Sequence, residues 1–399
     1  MTPAQTLLPT AQRLKVLVAM SGGVDSSYVA AAMAQEGHDI VGVTLKVWQD
    51  KDKAFAKGDD CQLELVEPGA PANAKKTCCG AEDMKDARSV ARSMGFPYYI
   101  LDYEDRFRVS VIDAFVADYL AGRTPNPCVA CNDKVKFGPL LQAALGLGCD
   151  KLATGHYARL STDPDGRVRL HRAKDRFKDQ TYFLYRLTQP QLQRLLFPLG
   201  ELEKAEVRKA SEQLGLPTAA KAESMDICFV PKGDYGQVLK AYAPQSQQPG
   251  DVVDPSGKVL GRHDGLAFFT VGQRKGLGMG GGEALYVLRL DKAKNAVVVG
   301  PESGLLKRQA FADDASFTGS TGSAQAHQTG AAPTEPFKCK VKIRSSHPGA
   351  DAVVAPLGDG RWSITFDEPQ RAITPGQAAV FYDADECLGG ATLYDVGVA

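Results

Sequence analysis

The hexapeptide Ser21-Gly22-Gly23-Val24-Asp25-Ser26 constrains this chain more than any other stretch, because it stands directly between a short apolar run and an alanine-rich one. Lys15 to Met20 has the length and branching of a buried parallel strand, and Ser27 to Gln35 has helical composition. A strand that turns through two glycines into a helix brings the backbone close to an anion. It also presents the free N–H groups and positive dipole end of that helix. The segment reads as a phosphate cradle. It is not a Walker A loop, since the lysine which that pattern sets on the terminal phosphates is missing. Pyrophosphate held as a leaving group, and so transfer of AMP, is the chemistry it implies.

From residue 13 to about 215 strands and helices alternate, with candidate strands at 15–20, 39–47, 97–102 and 149–154 and candidate helices at 25–36, 81–94, 105–121, 134–147 and 203–214. That order predicts a doubly wound parallel sheet with its ligand at the carboxyl ends of the strands, where the hexapeptide lies. The polar stretch 49–76 exceeds the usual connection and is expected to form a mobile loop over the site. Beyond about residue 225 the helical period gives way to short alternating runs (283–288, 296–299, 339–343, 378–382) between Gly and Pro turns, as in small antiparallel barrels. Residues 318–336, rich in Ser, Gly, Ala and Thr, read as a low-complexity loop.

A chain of 399 residues has room for two or three domains. With 47 basic and 47 acidic residues, contact with nucleic acid must come from local patches. No segment approaches the ~18 uninterrupted apolar residues of a membrane span, and Pro9 stops the apolar pair Leu7-Leu8, so neither a membrane partner nor a secretory signal is expected. Nine irregularly spaced cysteines argue against a disulfide scaffold and for reduced thiols in the cytoplasm.

Thr124-Pro125-Asn126-Pro127-Cys128-Val129-Ala130-Cys131-Asn132 follows a candidate helix, and its two prolines predict an extended loop that presents two thiols. No second CxxC or HxxxH pair completes a zinc site. A redox dithiol of thioredoxin type opens a helix, which an extended loop would not. Cys228, in Ser224 to Val230, has apolar neighbours that suit a core cysteine equally well.

SGGVDS resembles the pyrophosphate loop of the adenylating ATP pyrophosphatases. Together with GRTPNPCVACN at 122–132, ATGHYAR at 153–159, KDQTYFL at 178–184, ESMDICFV at 223–230 and FTVGQRKGLGMGG at 269–281, it makes the chain similar to the tRNA-uridine 2-sulfurtransferases, with the blocks in family order. The resemblance implies a pyrophosphate-loop catalytic domain of the adenine nucleotide alpha hydrolase type at 13–222, a small central domain at 223–287 and a C-terminal β-barrel at 288–399. It also implies ATP-dependent 2-thiolation of the wobble uridine in the anticodon loop of tRNA. Sulfur would arrive from a cysteine desulfurase or a relay protein as a persulfide on Cys228. Cys131 would act on that persulfide, ending in a transient Cys131–Cys228 disulfide, and nearby cations are expected to lower its pKa.

By the same resemblance ATP, with Mg2+, meets Ala19, Met20, Ser21, Gly22, Gly23, Val24, Asp25 and Ser26, then Leu45 and Gly155. The tRNA meets Asn126, Pro127, Cys128, Lys178, Asp179, Gln180, Arg344 and Ser345. Two features of the residues themselves suit RNA: the stretch from Arg159 to Lys178 is rich in Lys and Arg, and Lys338, Lys340, Lys342 and Arg344 alternate as if along one face of a strand, a stripe that is more often only a solvated face. One departure stands out. Cys128 occupies a place where many members carry Asp, so Cys128, Cys131 and Cys228 offer three ligands for an iron–sulfur cluster as an alternative to the persulfide relay.

Overall fold

Val16, Leu17 and Val18 have no exposure to solvent, and the strand they form, β1 (Lys15–Ala19), lies between two parallel neighbours. An apolar run without polar alternation suits a strand covered on both faces. The computed structural model describes residues 13–47, 63–65, 80–223, 227–230, 233–277, 284–318 and 332–397. The loop expected at 49–76 therefore lies outside the described residues except at 63–65, as does most of the low-complexity stretch.

The described chain divides into two compact units, one from residues up to 110 with 131–225, the other from 111–130 with 226 onward. In the first unit β1 is joined by β2 (Asp39–Lys46), β3 (Leu63–Leu65), β4 (Tyr98–Asp102) and β5 (Lys151–Thr154). An antiparallel hairpin follows, β6 (Ala158–Thr162) with β7 (Val168–Arg172), and the two-residue β8 (Leu195–Leu196) ends the series. The sheet order is β3-β4-β2-β1-β5-β8, parallel except for β3 at its edge. The chain builds outward from β1 to β2 and β4, then crosses back to lay β5 on the other side. The carboxyl ends of β1 and β5 thus flank the topological switch point, where open α/β sheets hold ligands.

The helices α1 (Val24–Gln35) and α2 (Gly80–Met94) cover this sheet, and nearly every residue of α1 from Val24 to Met33 is buried. Where one helix was expected at 105–121, α3 (Glu104–Phe107), a π-helical turn at Arg108–Asp113 and α4 (Ala114–Leu120) follow one another. Next come α5 (Pro127–Cys131), a π-helical stretch at Asn132–Leu140 containing Pro139, α6 (Leu141–Gly146), α7 (Gln189–Leu192) and α8 (Lys204–Gln213). Proline supplies no N–H to a helix ladder, which accounts for the irregular winding around residue 139.

In the second unit α9 (Tyr235–Tyr242) precedes a four-stranded sheet of β9 (Gly250–Val253), β10 (Val259–His263), β11 (Tyr286–Asp291) and β12 (Ala296–Gly300), ordered β10-β9-β12-β11 over a core of Val252, Val287, Val297 and Val299. Six longer strands follow: β13 (Leu306–Phe317), β14 (Phe337–Lys342), β15 (Ala350–Gly358), β16 (Arg361–Arg371), β17 (Ala378–Asp383) and β18 (Glu386–Val396). They run β13-β16-β15-β14-β17-β18, and pairing of β13 with β18 closes the barrel around Phe317, Trp362 and Phe381. Closure removes the exposed sheet edges that would otherwise template association.

One tight backbone approach in the first unit is at Gly22, which has φ +73° and no room for a Cβ against the backbone of Asp83 in α2. Gly22→Ala is expected to cost at least about 1 kcal/mol for the left-handed conformation, before any displacement of α2. Urea unfolding measures it, and an unchanged midpoint would contradict this account.

Candidate functional site

Ala19 ends β1 and Met20 is fixed behind it, its N–H donating to Val43 O at 2.7 Å and its carbonyl accepting from Thr44 Oγ1 at 2.6 Å. The backbone then turns through Ser21, Gly22 and Gly23 into α1. Ser26 Oγ accepts the Ser21 N–H at 3.0 Å and lies 3.1 Å from Ser21 Oγ, so the two serines close the turn on itself. Gly23 occupies the N-cap and no side chain caps the helix. The N–H groups that a helix leaves without partners in its first turn accordingly face outward, as an anion requires. Gly155, just past β5, has its Cα against this turn: an added Cβ would lie 3.0 Å from Ser26 N and 3.1 Å from Asp25 Cβ. The structure thus brings together the expected Ala19 to Ser26 and Gly155, while Leu45 stands half-buried near the carboxyl end of the neighbouring β2.

Two lysines reach the loop from far along the chain. Lys204, the first residue of α8, places Nζ 2.7 Å from both carboxylate oxygens of Asp25 and 2.8 Å from Glu223. The Tyr157 hydroxyl donates to Asp25 at 2.9 Å, and burial, with the Asp25 charge added, pushes its pKa far up. Lys178 meets the other oxygen of Glu223 at 2.6 Å, and Arg208 stands 3.6 Å away. These ammonium groups, Lys178 first and then Lys204, hold the Glu223 carboxyl down at about 2. Lys221 donates to the carbonyl of Gly22 at 3.0 Å and pairs with Asp83 at 2.6 Å and with Asp86. Burial opposes its charge, yet the two aspartates outweigh it and raise its pKa. Sequence reading missed Lys204 and Lys221 because they lie 179 and 199 residues from their partners in the loop. No local pattern marks them.

The cysteine segment differs from its expectation. Pro127 to Cys131 is helical, not extended: Pro127 stands at the first helical position, and the Asn126 side chain accepts the Val129 N–H at 3.3 Å in the manner of an N-cap. The first prolyl residue of a helix loses nothing by lacking an N–H, so a proline read as a loop former starts the helix instead. With the two thiols on a helix, a redox dithiol is no longer disfavoured by its setting. Cys128 is exposed and Cys131 is half-buried at the end of α5, while Cys228 is exposed in a turn of the second unit. The Cys131 pKa also departs from expectation. Burial pushes it up and Lys136 only partly offsets this. Cys149, Cys339 and Cys387 are buried and need no role beyond packing. Ser224, Met225 and Asp226 lie outside the described residues.

Of the expected RNA contacts, Lys178 is half-buried and paired as above. The Asp179 side chain is 1 % exposed and bound to Arg172 Nε at 3.1 Å, the Ala173 N–H at 3.2 Å and Thr181 Oγ1 at 2.9 Å. Gln180 accepts the Tyr157 N–H at 2.9 Å. The basic stretch before them is largely self-neutralised, with Arg169 on Asp163 and Lys174 on Glu206. The row of cations in the barrel is broken as well. Lys338 and Lys340 point outward, Lys340 pairs with Asp351, Lys342 is buried, and Arg344 lies beyond β14 in a turn, bound to Arg371 O at 3.2 Å with exposed Ser345 beside it. Among the described residues no three His, Cys, Asp or Glu side chains gather as ligands of a metal ion.

A glycine-turned anion cradle at the switch point of a doubly wound sheet, fringed by lysines and joined to a barrel-bearing unit, places the chain in the adenine-nucleotide-binding α/β class. Family models match it along its length: tRNA methyl transferase HUP domain over residues 14–232, tRNA methyl transferase PRC-barrel domain over 236–301, and aminomethyltransferase beta-barrel domain over 321–393. Curated relatives include the tRNA-specific 2-thiouridylase MnmA of Chloroflexus aggregans, 45 % identical with 94 % of this chain and 97 % of the relative covered. That of Magnetococcus marinus is 44 % identical over 95 % of this chain and 98 % of its own. The chain belongs to the tRNA-specific 2-thiouridylase family. Among solved structures, the U34-tRNA thiolase NcsA from Methanococcus maripaludis with its [4Fe-4S] cluster matches at a TM-score of 0.34 and 16 % identity over 60 % of this chain and 70 % of that one.

The depressed Glu223 carboxyl has a consequence for stability. Its contribution is present above the ordinary carboxyl range and is lost as pH falls through about 2. Glu223→Gln is expected to lower the thermal midpoint at pH 7 and to match the parent protein near pH 2. A difference that persists unchanged across that range would show that the ion pairs contribute nothing.

Proposed function

We propose that the protein 2-thiolates the wobble uridine (position 34) of tRNA. The observation that carries this reading is the Ser21–Ser26 cradle at the switch point, in a chain that matches 2-thiouridylases over nearly its full length. The methyl-transfer wording of the family models does not suit these residues: a loop built for a leaving pyrophosphate serves adenylation.

The chemistry follows from the need to turn a carbonyl oxygen into a leaving group. The O2 oxygen of uridine attacks the α-phosphorus of ATP, the bond to the β-phosphate oxygen breaks, and pyrophosphate leaves from the cradle while Mg2+ comes and goes with the nucleotide as substrate. Lys204 and the first-turn N–H groups of α1 neutralise the charge that develops there. A terminal persulfide sulfur on Cys228, delivered by a cysteine desulfurase or relay protein, attacks C2. The Cys131 thiolate then attacks the inner sulfur, and AMP departs as the C2–O bond breaks. The sulfane sulfur is reduced to the thiocarbonyl while the two thiols become the Cys131–Cys228 disulfide, which an external thiol reduces. Such a cycle needs the reducing environment of the cytoplasm. Asn126, Pro127 and Cys128 border the flipped base, Lys178 contacts the RNA backbone from a turn that Asp179 and Gln180 hold, and Arg344 with Ser345 contacts it from the barrel.

Incubation with ATP and bulk tRNA is expected to release pyrophosphate only when RNA is present, and to yield 2-thiouridine by nucleoside mass spectrometry once a persulfide donor is added. Asp25→Ala is expected to abolish the release in a protein that remains folded. Cys131→Ser and Cys228→Ser are each expected to stop thiolation, and Cys128→Ser to leave most of it. RNA-independent or absent pyrophosphate release sinks the adenylation reading. An inactive Cys128→Ser variant, together with stoichiometric iron and acid-labile sulfide in anaerobically purified protein, replaces the relay by a cluster.

A further inference from the structure

Phe177 is fully exposed, the most exposed large apolar side chain among the described residues. A phenyl ring left in water forgoes about 1.5–3 kcal/mol of burial, so its position calls for a reason. The turn that carries it is fixed. Asp175 Oδ1 accepts the N–H groups of Phe177 at 3.1 Å and Lys178 at 3.2 Å, and the Lys178 N–H also reaches the Asp175 carbonyl at 3.2 Å. The other carboxylate oxygen accepts the Lys204 N–H at 3.1 Å. One aspartate therefore ties the turn to the first residue of α8, whose ammonium group binds Asp25. The ring stands out from the wall of the phosphate cradle on a rigid mount.

Its surroundings decide what it suits. Lys174, Asp175, Arg176 and Lys178 surround it in sequence, and no contiguous apolar patch adjoins it in the turn, as a protein groove would want. A ring between two cationic residues suits an unpaired nucleobase, whose face stacks on the aromatic while the flanking phosphates meet the cations. We propose that Phe177 is a stacking platform for an unpaired base of the RNA substrate beside the adenylation site. This inference rests on the RNA reading above.

Because the ring is exposed, substitutions should leave the fold intact, which an unchanged thermal midpoint verifies. Phe177→Ala is expected to weaken binding of an anticodon stem-loop RNA roughly 5- to 150-fold without altering ATP affinity. Phe177→Tyr should bind as the parent does, and Phe177→Leu should behave like the alanine variant. Phe177→Trp adds a reporter to the two native tryptophans, with the parent protein as blank. Its added fluorescence is expected to be quenched by the stem-loop and not by ATP. Parent-like RNA affinity in Phe177→Ala, or in Phe177→Leu, overturns the stacking role, the latter because a merely apolar contact, as to a protein partner, would suffice. A parent protein that fails to bind the stem-loop overturns the RNA reading itself, so the two failures are distinguishable.

Discussion

One ammonium group, that of Lys204, is shared between the carboxylates of Asp25 and Glu223, and the order of the first unit around its loop depends on it. The lysine side chain is 11 % exposed and its two carboxylate partners are 31 % and 24 % exposed, so water screens these charges less than it would on an open surface. Without the lysine, Asp25 would lose its ammonium partner while Glu223 kept Lys178 and Arg208, and removing one partner of such a pair costs more than the pair contributes. Residues 25, 157, 178, 204 and 223 come from five separate stretches of chain. Charge balance brings them to one place, and that place is the mouth of the anion cradle.

How much of this was legible follows from the range over which each signal acts. The alternation of apolar runs with alanine-rich or amphipathic ones is local, and the doubly wound sheet and its cradle were read from it. The two-residue period of the later strands was equally plain and was read as small antiparallel barrels, whereas the pairing that closes the barrel, β13 with β18, depends on register rather than on either strand alone. Proline misled at Pro127. The same fixed φ serves an extended loop and the first turn of a helix, and the deciding contact is the Asn126 cap, visible only in three dimensions. The lysines of the site carry no pattern at all, since their partners are defined by the fold.

Cys131 illustrates a limit of arguing from residue type. A catalytic thiol invites the expectation of a lowered pKa, yet Lys136 only moderates a rise that burial imposes. A thiol kept mostly protonated at neutral pH is protected from adventitious oxidation. In the proposed cycle it attacks the inner sulfur of the Cys228 persulfide, so it must lose its proton for the sulfur to be released to the base.

The self-neutralised arginines and lysines between residues 159 and 178 have a thermodynamic consequence for any polyanion that docks there. A phosphate that takes Arg169 from Asp163, or Lys178 from Glu223, exchanges one anion for another already fixed to the protein. Counterion release from the nucleic acid is then offset by small cations recruited to the freed carboxylates. The logarithm of affinity should fall less steeply with salt than the number of cationic side chains at the interface suggests. Discrimination would lie in geometry and in stacking, while non-specific attraction to bulk RNA stays weak.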